Sequence, residues 1–446
     1  MSHVEAWLTT SDGALLLSKV EGVDANQSHS EEAHLSIFVD DKVSYQEMGG
    51  FGASFTDASA YLFHHSLDQE ARDHLMTALF DDKEGIGLSL LRQPMGASDY
   101  TTKIYSYNDL EVGEEDILQA RFSIEHDRQY IIPLLKQAQA MNSELKLMAS
   151  PWSPPGWMKT SGQMIGGFLQ KKYYASYANY FLKFIQAYEA EGLPIYAVTI
   201  QNEPDYEPAE YPGMIMSATE QTEFIRNDLG PLFAEQGLRT LIIGYDHNWD
   251  LPEYPLTILR DAKANRYVAG IAWHVYGGEP SSMTEVRNEF PDKGVWFTEA
   301  SGGQWIPPFR EAFLAQMQQL IRSTRNWSKS VVWWNIALDE NNGPSVLSNS
   351  TCRGLVKIDQ TTSKVTYNLD YYTMGHISKF VKPGAWRIAS SSYDDVLESV
   401  AFKNPDNSHV LIVCNRTGAD QFIQVMNDAE LFHFNVLSES AVTFTW

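Results

Sequence analysis

The stretch PIYAVTIQNEPDY (194–206) opens as an unbroken apolar run, the mark of a strand covered on both faces. It closes on Gln201, Asn202 and Glu203 before Pro204 stops it. Burying a carboxylate without partners is strongly unfavourable, so a strand that ends this way must pair its acid, keep it neutral, or use it.

Seven other runs share this form: MGGFGASFTD (48–57), GLSLLRQPMG (87–96), LKLMASPWS (145–153), TLIIGYDHN (240–248), GIAWHVYGG (270–278), GVWFTEASGG (294–303) and SVVWWNIALDE (330–340). Helix-like segments separate them. SLDQ (66–69) reads as a capping box ahead of Leu75, Met76, Leu79 and Phe80. Residues 171–192 carry Tyr177, Tyr180, Phe181, Phe184, Ile185 and Tyr188 on one helical stripe. Eight strands alternating with helices predict a (β/α)8 barrel, with a doubly wound sheet as the competitor. The polar residues favour the barrel. Nearly every run ends in a chemical group: Asp57, Arg92, Trp152, Asn202 and Glu203, His247, His274 and Tyr276, Glu299, Trp334 and Asn335. Only a barrel brings all strand ends to one mouth.

The chain ends differ from the middle. HLSIFV (34–39), VLESVAFK (396–403), HVLIVCN (409–415) and AVTFTW (441–446) are short strand-like runs, and KNPDNS and NRTGAD read as hairpin turns. Residues 1–45 and 378–446 are therefore expected to build one β-sandwich beside a barrel spanning 46–377.

With 57 acidic and 33 basic residues, the net charge of −24 disfavours nucleic acid and anionic membranes as partners. No run of about 18 apolar residues predicts a membrane span. The N-terminus lacks a basic region and a long apolar core, so a cytoplasmic location is expected unless a leader has been removed. Two cysteines, Cys352 and Cys414, are too few for a disulfide framework or a zinc site. No cofactor or metal is expected.

Two carboxyl groups at one barrel mouth, Glu203 and Glu299, suit glycoside hydrolysis, in which one acid protonates the leaving oxygen and the other stabilises or attacks the anomeric carbon. Arg92 is placed to keep Glu299 ionised, and a pocket around Glu203 is expected to raise its pKa so that it starts protonated. Trp152 and Trp334 offer ring faces on which a sugar stacks.

GGFGASFTDASA, LLRQPMGASDY, SPWSPPGWMKTSG, VTIQNEPDY, WHVYGG, WFTEASGG and VVWWNIALDENNGP, in that order, resemble glycoside hydrolase family 30 on its glucosylceramidase-like branch. CRGLVKID and VTYNLDYYTMGHISKFVKPGAWRI extend the likeness to about residue 388. The resemblance implies a retaining β-glycosidase with Glu203 as acid/base and Glu299 as nucleophile. It implies that Asn202 binds the sugar 2-hydroxyl, and that Asp57, Trp152 and Trp334 hold the rest of that sugar. His274 and Tyr276 match a pair flanking the nucleophile. DENNGPSVL (339–347) departs from the branch by lacking an aromatic near the aglycone. The substrate reading is a β-glucoside or glycolipid of the glucosylceramide kind. The alternatives are a β-1,6-glucanase of the same family and a non-catalytic carbohydrate-binding protein.

Overall fold

The computed structural model describes residues 4–21, 23, 35–307, 309–428 and 430–446. Eight parallel strands close into a barrel, each beside its neighbour in sequence: Gly50–Ser54, Leu90–Pro94, Lys146–Ser150, Ile195–Thr199, Leu241–Asn248, Val268–His274, Gly294–Glu299 and Ser330–Asn335. These are the eight expected runs.

The barrel interior is layered. Side chains two apart along a strand share a face. Leu90, Met148, Ala197, Ile243, Ala272, Trp296 and Val332 meet in one apolar cluster inside the barrel. Two residues further along the same strands come Arg92, Ser150, Thr199, His274, Thr298 and Trp334, all buried. In the fifth strand the pairing shifts between Tyr245 and His247, and both Tyr245 (φ 73°) and Asp246 (φ 80°) are left-handed. That bulge advances the register by one residue, so Asp246 rather than Tyr245 joins the polar layer.

Of the two helix expectations, one changes and one holds. Ser66 does not cap the helix Gln69–Phe80: it ends the preceding helix, Asp57–His65, giving its N–H to Leu62, and Asp68 caps the next by accepting from Ala71 N. The helix Tyr174–Ala190 buries all six of its expected stripe residues.

The second unit is a nine-stranded sheet whose order runs Ser18–Val20, Glu5–Thr10, Ser440–Thr445, His409–Asn415, Leu397–Lys403, Trp386–Ser390, Leu35–Glu47, Gln421–Met426, Leu431–Val436. It folds as a sandwich around a core that includes Leu8, Ile37, Leu411, Val425 and Phe444, so strands from both chain ends interleave. KNPDNS does form a hairpin, whereas NRTGAD carries the chain to a non-adjacent strand. There Asn415 Nδ2 donates to the carbonyls of Ala419, Val436 and Leu437, anchoring the crossing. Among the described residues, no helix is long and apolar enough to cross a membrane.

Candidate active site

The polar layer is one hydrogen-bonded network centred on Arg92, which is fully buried. Its Nε donates to Ser150 Oγ at 3.1 Å, and its Nη1 to Glu299 Oε2 at 2.6 Å. Its Nη2 donates to Asn202 Oδ1 at 2.7 Å and to Asp246 Oδ2 at 2.8 Å. Asp246 also accepts from Thr199 Oγ1 (2.6 Å) and Thr298 Oγ1 (2.8 Å), and pairs with His274 Nε2 (2.9 Å). Burial opposes its charge, but Arg92 and His274 outweigh that and hold Asp246 far below the usual carboxylate range.

Glu299 is held at both oxygens, by Arg92 at one and by Tyr276 Oη at 2.8 Å at the other. Glu203 is held differently. Its backbone is left-handed (φ 49°), its N–H donates to Asp246 O, and its Oε1 sits 3.2 Å from His274 Nδ1. The same ring nitrogen lies 4.0 Å from Glu299 Oε1, which puts a ceiling of roughly 7 Å between the two carboxylate oxygens, close enough for both to work on one glycosidic bond.

Burial works against a charge on His274, yet Glu299, Asp246 and Glu203 together raise it to about 9. The expected elevation of Glu203 is reversed here. Burial pushes its pKa up, but the hydrogen bond and charge of His274, with help from His247 and Arg92, bring it below the ordinary value. The two groups titrate as a coupled pair, each favouring the charged form of the other.

Above this network opens a cavity of about 330 Å³, within the usual range for small-molecule sites. Its wall includes Asn202, Glu203, Glu299, Tyr276, Trp152 and Trp334. The two tryptophans stack at 4.7 Å between ring centroids, 16° apart in plane, over the Arg92 guanidinium, which lies 4.9 Å from the Trp152 ring. Gln201 Nε2 braces the Trp152 carbonyl at 2.6 Å. Because arginine only donates, its contact fixes Oδ1 of Asn202 inward and leaves Nδ2 for the cavity.

Three of the expected site residues do not reach that cavity. Asp57 opens the helix Asp57–His65, and its carboxylate is used up by Thr101, Thr102, His126 and Tyr130. Arg92 and His274 are 0% exposed and lie beneath the site, where they position the groups that line it. Conversely, sequence reasoning passed over Asp99, Tyr206, Tyr211, Trp305 and Cys352, all on the cavity wall. Asp99 lies in the loop after the Arg92 strand, in the quoted LLRQPMGASDY. Its Oδ1 is buried without a hydrogen-bond partner, and burial, with the charges of Glu299 and Glu203, pushes its pKa up to about 8. Burial raises the Cys352 thiol to about 11.

The glycosyl hydrolase family 30 TIM-barrel domain matches residues 48–381, and the family's β-sandwich domain matches 384–444. An endo-1,6-beta-D-glucanase of Neurospora crassa is 33% identical over 463 aligned positions, covering 99% of this chain and 94% of its own. The lysosomal acid glucosylceramidase of Mus musculus is 31% identical, covering 95% and 86%. The solved structure of an endo-beta1,6-glucanase superposes over 100% of both chains with a TM-score of 0.90 at 32% identity. The motifs, the barrel with its appended sandwich and the paired carboxylates agree with these likenesses: the chain belongs to glycosyl hydrolase family 30 and is a glycoside hydrolase.

Proposed function

We propose that this chain is a retaining β-glycosidase that cleaves β-1,6-linked glucan, with Glu299 as nucleophile and Glu203 as acid/base. The observation that carries the assignment is the asymmetry between the two acids. Glu299 has a donor on each oxygen, which suits a carboxylate aimed at an anomeric carbon. Glu203 shares a proton with His274 through one oxygen, which suits a group that gives a proton and later takes one back. When Glu299 becomes bonded to the sugar its charge vanishes. His274 then loses one carboxylate neighbour, and the balance of the Glu203–His274 pair shifts between the two half-reactions. Asn202 Nδ2 is the donor for a hydroxyl of the sugar in the pocket.

For the substrate, the weight moves from glucosylceramide-like and aryl β-glucosides to the glucan. Full-length likeness to two endo-1,6-β-glucanases supports this. So does a rim on which Tyr206 and Trp305 stand about half exposed, at 50% and 51%, offering ring faces to further sugar units. Simple β-glucosides and glucosylceramide are the second reading, supported by the glucosylceramidase likeness. Incubation with β-1,6-glucan, a nitrophenyl β-glucoside and glucosylceramide in parallel separates them. Soluble oligosaccharides released from the glucan, with a β-anomer as first product by NMR, are expected. An untouched glucan beside rapid glucosylceramide cleavage would overturn the substrate, and an α-anomer would overturn retention.

A further inference from the structure

We propose that Glu203 Oε1, His274 Nδ1 and His247 Nδ1 form a binding site for a divalent transition metal, and that an ion held there blocks the reaction. Three observations carry it. First, one ligand atom from each of the three residues lies within 4.8 Å of the others, and Glu203 Oε1 is 3.2 Å from His274 Nδ1 and 3.8 Å from His247 Nδ1. The ligands of a tetrahedral zinc at 2.0–2.2 Å stand roughly 3.3–3.6 Å apart, so the Glu203–His274 edge is nearly at length and the two edges to His247 close by rotation of its ring.

Second, His247 Nδ1 is buried, aims at Glu203, and has no hydrogen-bond partner. The His247 side chain is only 9% exposed, so water does little to satisfy that nitrogen. Third, His274 has its other nitrogen on Asp246 Oδ1 at 2.9 Å, which is how metal-binding histidines are oriented by a carboxylate behind them. Asp246 is in turn held by Arg92, Thr199 and Thr298, so the ring is fixed before any ion arrives.

Two imidazoles and one carboxylate suit Zn²⁺, Cu²⁺ or Ni²⁺, whereas Mg²⁺ and Ca²⁺ favour all-oxygen shells. The ion takes the place of the proton that His274 and Glu203 share, and its fourth position opens toward the cavity. A Glu203 oxygen bound to metal has no proton to give to a leaving group. The binding claim is independent of the glycosidase reading. The blocking claim rests on the role of Glu203 in it.

The test is calorimetric titration of the full-length protein with Zn²⁺, the visible spectrum with Co²⁺, and hydrolysis rates with Zn²⁺ or Mg²⁺ followed by EDTA. One Zn²⁺ per chain, a tetrahedral Co²⁺ band, and EDTA-reversible inhibition with Mg²⁺ silent are expected. His247→Gln and His247→Asn should each weaken Zn²⁺ binding at least tenfold and lower inhibition in proportion, each variant measured against its own metal-free rate. Unchanged Zn²⁺ affinity in both folded variants would overturn the site. So would inhibition that disappears in Cys352→Ser instead, since that would make the cavity thiol the ligand. Binding that depends on His247 but leaves hydrolysis untouched would overturn the blocking step alone.

Discussion

Replacing Asp99 by Asn should stabilise the protein at alkaline pH and leave its stability unchanged in acid. Asp99 titrates near 8 when folded, against an ordinary value of 3.8, because burial and the two neighbouring glutamates disfavour its charge. Between those values the folded chain binds a proton that the unfolded chain has released. Stability contributed by the neutral acid is therefore complete below pH 3.8 and is lost as pH rises through 8. At about 1.4 kcal/mol per pH unit, the full interval sets a ceiling of about 6 kcal/mol. Asp99 is partly open to the cavity. Cavity water solvates its charge, so we expect about 2–4 kcal/mol. Asn has the same shape and no charge to bury, so Asp99→Asn should gain that amount over the parent near pH 8, and nothing near pH 4. Urea unfolding followed by tryptophan fluorescence at several pH values measures the difference. A difference that does not change with pH, or a variant less stable at pH 8, would refute the reasoning. Activity should fall in the same variant, because Asn keeps one acceptor oxygen but sets an NH2 donor where Asp99 has its second carboxyl oxygen on the cavity wall. The destabilised acid would then be a cost retained for binding.

Three further outcomes follow from the geometry. Glu203→Ala should slow substrates with poor leaving groups by roughly 10²–10⁴-fold. It should spare an activated dinitrophenyl glycoside in its first step and yield a β-glycosyl azide when azide is added. Glu299→Ala should be nearly inert, and any azide product should be α; the opposite pairing of products would reverse the two roles. His376 sits where the helix Leu369–Ser378 meets the sandwich. Thr443 Oγ1 donates to the His376 carbonyl, so it accepts from Nδ1–H at 2.9 Å, while Nε2 is left to accept from Thr9 Oγ1 at 2.8 Å. Burial drops its pKa to about 3, so stability present above pH 6.5 is lost as pH falls toward 3, by up to about 5 kcal/mol. His376→Gln should flatten that acid limb in urea unfolding; an identical limb would remove His376 as its source. EDTA should leave hydrolysis intact or raise it, and loss of activity restored only by added metal would contradict a reaction run by two carboxylates.

Much of this site was legible in the sequence because strand geometry is local. With a period of two, an apolar residue followed two places later by a polar one places both on the inner face of a barrel strand. Leu90 with Arg92, Ala197 with Thr199, Ala272 with His274 and Trp296 with Thr298 all obey this. The strand ends therefore announced a polar mouth, and the order of the motifs announced the family. Which of those groups meets substrate was not local. Arg92 reaches Glu299 across 207 residues, and that closure buries the arginine under the cavity instead of in its wall. Asp57 and Asp99 look alike as acids following barrel strands. Tertiary packing brought Thr102, His126 and Tyr130 to the first and left the second at the cavity with its Oδ1 unpartnered. The bulge that puts Asp246 in the ring, and the three carboxylates that keep a proton on His274 and lower Glu203, exist only once distant strands are side by side. Periodicity is a property of one backbone segment. A hydrogen-bond partner or a shifted pKa belongs to the space between segments, and only the closed barrel decides what fills it.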